Sequence, residues 1–295
     1  MKILLLGKSG QLGWELQRAL APLGNVVAPG RESAADLSTP EALPHLLDTY
    51  QPQVIVNAAA YTAVDRAEMP QEQDLCMRVN ARAPLALAHW AAQQQALLVH
   101  YSSDYVYDGS GTHARHEDTP LNPLSVYGRS KAQADEAIAD SGCRYLILRT
   151  SWVYGARGGN FAKTMLRLGA ERDSLRVIND QWGAPTGADL LADLSAHMIR
   201  MAWGRPELDG LYHAAALGTT SWHGYAQHVL DYAHRRGHPL KAGPNQVYPV
   251  STAEYPTAAA RPLNSRLDTG KLRRAFDLHL PTWQAGVERM LEEIL

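Results

Sequence analysis

The 295-residue chain contains only two cysteines, Cys76 and Cys143, and they are too far apart for a C-x-x-C motif. This scarcity excludes a disulfide framework and a thiolate metal site, and it predicts a reducing compartment, which we take to be the cytoplasm. We expect both thiols to be buried in the core. The pair His113 and His116 lacks a third convergent ligand, so we interpret this segment as a surface loop.

Long apolar runs and an excess of one charge are also missing. The run over residues 2–6 is broken by Gly7 and Lys8, too early for a signal peptide, and no later stretch is long enough to span a bilayer. A formal net charge of -2, with both signs scattered, gives no electrostatic footprint for nucleic acid or anionic lipid. We therefore expect a soluble globular protein that binds neither nucleic acid nor membrane.

What the first half does contain is an alternation of apolar runs and helical patterns, which is typical of βαβ units and a parallel sheet. Strands are predicted over residues 2–6, 25–28, 54–57, 97–101 and 145–149. Thr39, followed by Pro40, is predicted to cap one helix, and Asn80 to cap a second that runs towards Gln95. The fold class is therefore α/β, a Rossmann-like doubly wound parallel sheet with a smaller C-terminal substrate lobe. We expect a cofactor domain over residues 1–150 and a mainly substrate-binding lobe over 151–295, interleaved with the first by later returns to the sheet.

Gly7, Gly10 and Gly13 follow the first strand and open a helix predicted over residues 11–23. Backbone N–H groups at the start of a helix face a pyrophosphate in dinucleotide sites. Folds that select NAD usually place an acidic residue after the second strand, whereas here the chain reads Ala28-Pro-Gly-Arg31. The guanidinium favours a 2′-phosphate and hence NADPH, with NADH left open. The predicted cofactor residues are Gly7, Gly10, Gln11, Leu12, Gly13, Arg31, Asp36, Leu37, Ala58, Ala59, Ala60, Tyr61, Thr62, Tyr101, Tyr127 and Lys131.

Tyr127 and Lys131 lie four residues apart, so on a helix they share one face. A free phenol has a pKa of about 10, and a nearby ammonium makes it a better proton donor by stabilising its phenolate. Ser103 follows the fourth strand, at the edge where ligands bind in open α/β sheets. The three side chains are predicted to converge on one carbonyl oxygen, as in a nicotinamide-dependent enzyme.

Seven segments carry a family resemblance over essentially the full length of the chain. They are NAAAYTAVD (57–65), SDYV (103–106), YGRSK (127–131), RTSWVY (149–154), NFAKT (160–164), DQWGAPT (180–186) and RPLNSRL (261–267). The chain resembles the extended short-chain dehydrogenase/reductases, and among them the dTDP-4-dehydrorhamnose reductase family. The resemblance implies NADPH-dependent reduction of the C4 keto group of dTDP-4-dehydro-L-rhamnose, a nucleotide sugar, in dTDP-rhamnose and lipopolysaccharide synthesis.

The resemblance also implies roles for individual residues. Tyr127 would donate the proton, and Lys131 would hold the nicotinamide ribose and lower the pKa of Tyr127. Ser103, which stands where the family commonly has threonine, keeps the hydroxyl. The implied substrate residues are Ser103, Asp104, Tyr105, Trp152, Arg261 and Asn264, although the loop that carries Arg261 and Asn264 could be purely structural.

Some members of this family bind magnesium through glutamates at a dimer contact. Glu15 fits that pattern, Asp189 stands where a glutamate is expected, and the C-terminal position is either Glu292 or Glu293, of which we choose Glu293. The resemblance therefore implies a homodimer and leaves a structural Mg²⁺ open.

Two alternative functions remain open at this point. One is another nucleotide-sugar enzyme of the same superfamily, a 4-epimerase or a dehydratase. The other is a non-catalytic regulatory subunit that binds NADP, similar to the β subunit of methionine adenosyltransferase. Tyr105 argues against the dehydratase, because those enzymes resemble this segment but place a glutamate after Asp104 to act in the elimination.

Overall fold

A six-stranded parallel sheet forms the centre of the structure, a computed structural model that describes residues 1–33 and 35–295. The strands are β1 (Lys2–Leu6), β2 (Asn25–Val27), β3 (Val54–Asn57), β4 (Leu97–Ser103), β5 (Arg144–Thr150), β6 (Val153–Tyr154), β7 (Leu175–Ile178), β8 (Trp182–Gly183), β9 (Thr186–Gly187), β10 (Gly210–His213), β11 (Thr220–Ser221) and β12 (Val247–Val250). The order in the central sheet is β2-β1-β3-β4-β5-β10. All five strands predicted from the sequence are confirmed, with small differences at their ends.

Helices cover both faces of this sheet. They are α1 (Gln11–Leu20), α2 (Leu43–Tyr50), α3 (Pro70–Met77), α4 (Ala83–Gln94), α5 (Val126–Asp140), α6 (Phe161–Glu171), α7 (Ala188–Ala202), α8 (Trp222–Arg235), α9 (Gly270–Ala275) and α10 (Trp283–Ile294). Ile3 and Leu5 face the core under α1 and α7, whereas Leu4 and Leu6 face the core under α2 and α4. Because both faces of the sheet are buried, its strands are continuous apolar runs. Such runs can be recognised as strands in the sequence.

Of the two predicted helix caps, Asn80 is wrong, and Thr39 is confirmed as the residue at the N-cap position but not as a side-chain cap. Asn80 lies inside a π-helical segment, Arg78–Arg82, that joins α3 to α4 without a break, so it caps neither helix. Thr39 precedes a 3-10 turn, Pro40–Ala42, that leads into α2, but its side chain makes no capping hydrogen bond. Proline at the first helical position of that turn is confirmed.

The C-terminal part of the chain builds a second core from α6, α8 and α10. Its strands are short: β6 pairs with β9, β8 with β11, and β7 with β12. Strand β10 instead returns to the central sheet beside β5, where Gly210 is opposite Leu146. The exact division into domains stays a prediction.

Three smaller predictions concern burial and loops. Both cysteines are buried, as expected. His113 and His116 are exposed, in a segment without helix or strand. Within residues 1–33 and 35–295, none of the helices is both long enough and apolar enough to cross a bilayer.

Candidate active site

The glycine turn lies where the strand order of the sheet reverses, since β1 is flanked by β2 and β3. Ligands of open α/β sheets bind at the carboxyl ends of the strands at such a point. Gly7 has φ +87°, and a Cβ on it would lie 2.6 Å from the backbone nitrogen of Ala59. A Cβ on Gly13 would lie 2.0 Å from the carbonyl oxygen of Gly7. The turn therefore requires glycine at both positions, and it brings the start of α1 against the segment after β3.

Charged side chains gather after β2, where the sequence predicts recognition of a 2′-phosphate. Arg31 is exposed in a short 3-10 turn, Arg31–Ser33. Lys8, from the glycine turn itself, reaches this turn, with its Nζ 3.9 Å from Glu32 Oε1. The Asp36 carboxylate accepts a hydrogen bond from the backbone nitrogen of Ser38 at 3.0 Å. Lys8 is a second cation for this subsite that the sequence reasoning missed, although it lies between two of the motif's glycines.

The other predicted cofactor residues differ in their exposure to solvent. Ala60 and Thr62 are exposed, Leu12, Ala58 and Ala59 are half-buried, and Leu37 is buried. The half-buried Gln11 accepts a hydrogen bond from Asn160 through its side chain, at 3.2 Å. The Tyr101 side chain points into the core, where its hydroxyl bonds to Ser195 Oγ at 2.6 Å, so only the backbone of Tyr101 is available to the site.

Ser103 and Tyr127 meet at the end of β4. The Ser125 hydroxyl accepts a hydrogen bond from the backbone nitrogen of Gly128 and so fixes the start of α5. Tyr127 lies in the first turn of this helix. Burial raises the pKa of the Tyr127 phenol above its usual range, and a hydrogen bond with Ser103 opposes that shift. The phenol is therefore protonated at neutral pH, which is the state that a proton donor requires.

Lys131 is fully buried one turn further along α5. Its Nζ donates to the carbonyl oxygen of Tyr101 at 2.6 Å and lies 3.1 Å from His100 Nε2. Burial lowers the pKa of this ammonium to about 8. Among the described residues Lys131 makes no hydrogen bond with the Tyr127 hydroxyl, so its predicted effect on the pKa of Tyr127 stays a prediction.

Asn80 anchors α5, the helix that carries Tyr127 and Lys131, whereas the sequence reasoning assigned it to helix capping. Its Nδ2 donates to Ser130 Oγ at 3.0 Å, and Ser130 Oγ in turn donates to the carbonyl oxygen of Tyr127 at 2.7 Å. The same amide also bonds to the backbone nitrogen and oxygen of Tyr61, at 2.8 Å and 3.0 Å. π-helical turns are often found at functional sites, and this one aims Asn80 between two site segments.

Asp104 follows Ser103 and is buried with an unsatisfied oxygen. Its Oδ1 accepts from the Ser103 hydroxyl at 3.0 Å, while Oδ2 is without a partner in residues 1–33 and 35–295. Burial raises the pKa of this carboxyl to about 6, and the neighbouring hydroxyls of Ser265 and Ser103 oppose that shift. A buried carboxylate oxygen without a partner costs free energy, so Asp104 is an acceptor available to a ligand hydroxyl.

Two further predicted substrate residues border the same point. The ring of Tyr105 meets Tyr127 edge to face at 5.5 Å between centroids. Arg261 binds Asp65 with Nη2 to Oδ2 at 2.7 Å, and Asp65 and the nearby Tyr105 phenol raise the pKa of its guanidinium against the effect of burial. Its Nη1 is buried without a protein partner in the described part of the chain. Arg261 is thus held beside Tyr105, which contacts Tyr127, and its Nη1 is available to a ligand as far as residues 1–33 and 35–295 are concerned.

Asn264 is placed differently. Its Nδ2 donates to the carbonyl oxygens of Ser110 and His113, and its Oδ1 accepts from the backbone and side chain of Arg266. The amide is fully occupied, so the structural alternative fits it better than contact with substrate.

Trp152 leads into the C-terminal lobe and has φ +50°, in the left-handed region. Its indole stacks on that of Trp222 with centroids 3.7 Å apart. A Cβ on Gly183 would come within 2.9 Å of the Trp152 ring, so the glycine makes room for it. Trp222 escaped the sequence reasoning, because nothing in the pattern near residue 222 links it to Trp152.

The predicted metal ligands are paired with arginines. Arg289 Nε lies 3.8 Å from Asp189 Oδ2 and 3.7 Å from Glu293 Oε1, so its guanidinium lies between the two carboxylates. Glu15 pairs with Arg18 at 3.4 Å. Residues 1–33 and 35–295 contain no group of three or more potential metal-ligating side chains. The single chain therefore assembles no magnesium site within the described residues, and a structural Mg²⁺ at a dimer contact stays a prediction.

A protonated phenol, a serine hydroxyl and a buried lysine therefore lie at the carboxyl edge of the parallel sheet, the same edge at which the glycine turn follows β1. This arrangement can donate a proton to a carbonyl oxygen that receives a hydride. It holds no second carboxylate at the position of Tyr105 that could remove a proton from carbon.

Comparison with known proteins agrees with this geometry. The dTDP-4-dehydrorhamnose reductase of Salmonella typhimurium is 51% identical over 297 residues, which cover 100% of this chain and 98% of that protein. The reductase of the same name from Burkholderia thailandensis is 41% identical over 301 residues, covering 100% and 99%. The crystal structure of the Bacillus anthracis dTDP-4-dehydrorhamnose reductase in complex with NADP superposes with a TM-score of 0.88 and 34% identity over 99% of both chains. A model of the RmlD substrate binding domain matches residues 1–295, so the chain belongs to the RmlD substrate binding domain family, as its resemblance predicted.

Proposed function

We propose that this protein is an NADPH-dependent reductase that converts the C4 keto group of dTDP-4-dehydro-L-rhamnose to the alcohol of dTDP-L-rhamnose. The observation that carries the proposal is the meeting of Ser103 and a protonated Tyr127 beside Asp104, whose buried Oδ2 has no partner among the described residues. The full-length relatives named as reductases support the choice of substrate.

NADPH, when bound, supplies the hydride that is added to the C4 carbon of the sugar. The protein residues then manage the oxygen. The Ser103 hydroxyl would turn its proton from Asp104 Oδ1 to the substrate carbonyl, and Tyr127 would give its proton to that oxygen as negative charge develops there. Lys131 would stabilise the resulting phenolate by its charge. Such a general acid contributes about 10²- to 10⁴-fold in rate.

The substrate would extend from this point towards the C-terminal lobe. Asp104 would accept a sugar hydroxyl, the Trp152 indole would pack on the sugar face, and the free Nη1 of Arg261 would bind the diphosphate. An arginine with one donor free and a carboxylate already on its other side is restrained in position, which lowers the entropy cost of binding. Asn264 would act only by holding this loop.

The glycine turn with Gly7, Gly10 and Gly13 would hold the pyrophosphate of the cofactor. Arg31, with Lys8, would hold the 2′-phosphate, which favours NADPH over NADH. The NADP complex of the Bacillus anthracis relative supports this choice. Asp36 and Leu37 would border the adenine, and Ala58 and its neighbours would pass close to the adenosine.

We also propose that the protein is a cytoplasmic homodimer that serves lipopolysaccharide synthesis. The family resemblance supports the homodimer and the pathway, and the two buried free thiols support a reducing compartment. A magnesium ion is not part of this proposal, because Arg289 and Arg18 neutralise the carboxylates that would bind it.

The test is a pair of spectrophotometric assays on purified protein. We expect consumption of NADPH when dTDP-4-dehydro-L-rhamnose is supplied. We expect no 4-keto-6-deoxy sugar from dTDP-D-glucose and NAD⁺, because Tyr105 provides no base for the C5 proton. The reverse pattern would make the protein a dehydratase, and inactivity with both substrates would favour the regulatory subunit.

A further inference from the structure

His100 lies between Asn57 and Lys131 in the middle of the sheet. All three residues expose only 1% of their surface, so water does not satisfy their polar atoms. Asn57 Nδ2 is 3.2 Å from His100 Nδ1, and His100 Nε2 is 3.1 Å from Lys131 Nζ. The imidazole is therefore the link between the end of β3 and the catalytic helix α5.

The direction of these hydrogen bonds follows from the backbone. The amide of Ala59 donates to Asn57 Oδ1 at 3.3 Å, which fixes Asn57 Oδ1 on that side and turns Nδ2 towards the imidazole. An amide NH₂ group donates and does not accept, so His100 Nδ1 must accept. A neutral imidazole then carries its proton on Nε2, the nitrogen that faces Lys131.

Lys131 Nζ consequently meets one acceptor and one donor. It donates to the carbonyl oxygen of Tyr101 at 2.6 Å, and the N–H of His100 points at it from the other side. A neutral amine has a lone pair for that N–H, whereas an ammonium has three donors and no acceptor. We propose that His100, oriented by Asn57, is a positioning residue that controls the charge on Lys131 by presenting an N–H to it.

Other titratable groups around Lys131 favour its charged form, whereas the N–H of His100 favours the neutral amine. Asp135 on α5 and Cys76 on α3 both favour the ammonium, but Asp135 is already paired with Arg149 at 2.8 Å. Burial outweighs them and lowers the pKa of Lys131 to about 8. The lysine thus titrates near neutral pH, where one reoriented hydrogen bond can change its charge.

This inference deepens the proposed reductase and rests on it for its consequence. The ammonium of Lys131 is the form that would stabilise the Tyr127 phenolate, whereas the N–H of His100 favours the neutral amine, so the tautomer of His100 sets the pH above which that stabilisation is lost. Its physical content does not need the substrate. Two nuclear magnetic resonance measurements on the full-length, cofactor-free protein test it directly: the ¹⁵N shifts of His100, which identify the protonated nitrogen, and the titration of Lys131, one of six lysines.

In the unsubstituted protein we expect the His100 proton on Nε2. In Asn57→Asp, a carboxylate can accept from both Ala59 and the imidazole, so the proton should move to Nδ1 and the Lys131 midpoint should rise by about one pH unit. His100→Gln offers Lys131 a carbonyl oxygen and should also raise the midpoint. His223→Gln, whose imidazole faces the carbonyl oxygen of Val247 in the C-terminal lobe, is the matched control and should leave it unchanged.

A proton on Nδ1 in the unsubstituted protein would overturn the inference, as would an unchanged Lys131 midpoint in both variants. If Asn57→Asp does not fold, the tautomer of His100 in the unsubstituted protein and the Lys131 midpoint in His100→Gln still test the inference. The same variants should move the alkaline limb of the kcat/KM profile upward together with the Lys131 midpoint. The expected NMR result without NADPH oxidation would refute the proposed function and leave this inference standing.

Discussion

The two ends of the site are built in different ways. The catalytic end rests on β4 and β5, two seven-residue strands paired along their whole length, and its polar side chains are buried and bonded to one another. The C-terminal lobe approaches it on strands of two to four residues, through the aromatic pair Trp152 and Trp222. In the proposed reductase, the first region would hold the atoms that react, and the second would present the surface that recognises the sugar.

The ion pairs of the two regions differ in the same sense, since one is buried and the other is exposed. Arg149 and Asp135 form an ion pair in which the two side chains expose 4% and 2% of their surface. Arg149 Nη1 also donates to the Tyr107 hydroxyl, and Ser102 donates to Asp135 Oδ2, whereas Asp135 Oδ1 has no partner among residues 1–33 and 35–295. The ion pair of Arg235 with Asp231 in the C-terminal lobe is half exposed. A buried pair depends on both partners, while an exposed pair is largely screened by water. We therefore expect the catalytic end to be sensitive to single substitutions and the C-terminal lobe to tolerate many of them.

The largest effect is expected at the catalytic end, in Tyr127→Phe. This change removes the proton but keeps the ring and its contact with Tyr105. We expect kcat to fall by about 10²- to 10⁴-fold with little change in NADPH affinity. Steady-state kinetics and a cofactor titration measure the two quantities. Tyr145→Phe is the control, because Tyr145 is a half-buried tyrosine on β5. Near-normal turnover in Tyr127→Phe would show that Tyr127 is not the proton donor.

The catalytic end was also the more predictable from the sequence. Continuous apolar runs identified the strands, and each run ended in the residues that the sheet edge would present, such as Ser103. The supporting partners were not predictable, because the bonds of Asn80 to Ser130 and of His100 to Lys131 join residues 50 and 31 positions apart. In the C-terminal lobe, two-residue strands leave no periodic signal, so Trp222 could not be assigned to the site.

The next prediction tests the contrast in charge. Asp135→Leu leaves the Arg149 guanidinium buried without its partner, and we expect it to lower the free energy of unfolding by about 3–5 kcal/mol. Asp231→Asn breaks the half-exposed pair with Arg235 and should cost less than about 1 kcal/mol. Urea unfolding monitored by circular dichroism measures both. Equal losses in the two variants would contradict the contrast between the two regions.

The cofactor subsite should respond more weakly than the catalytic residues. Arg31→Ala removes a guanidinium from an exposed turn, so we expect NADPH to bind about tenfold more weakly and NADH to bind almost as before. Lys8→Ala should act in the same direction, because Lys8 reaches the same turn. Fluorescence titrations with both cofactors give the comparison. Equal losses for NADPH and NADH would show that Arg31 does not contact the 2′ position.

The aromatic pair should show how the C-terminal lobe contributes. Trp222→Leu removes the surface on which Trp152 stacks, and Trp152 already has a left-handed backbone conformation. We expect KM for the nucleotide sugar to rise about 2- to 10-fold, with kcat and NADPH affinity nearly unchanged. Trp203→Leu, at the end of α7, is the control for loss of an indole. A fall in kcat alone would mean that the pair orders the catalytic residues instead.

The smallest effect is expected from removal of metal. Arg289 lies between Asp189 and Glu293, and Arg18 pairs with Glu15, so each predicted magnesium ligand already faces a cation. A bound ion would stabilise the folded protein in proportion to its saturation, and chelation would then lower Tm. We expect EDTA to change Tm by less than about 2 °C. In Arg289→Ala, by contrast, the freed carboxylates could bind Mg²⁺, and its Tm should rise when the ion is added. A marked loss of Tm on chelation of the unsubstituted protein would mean that an assembled site, shared with a second copy, displaces the arginine.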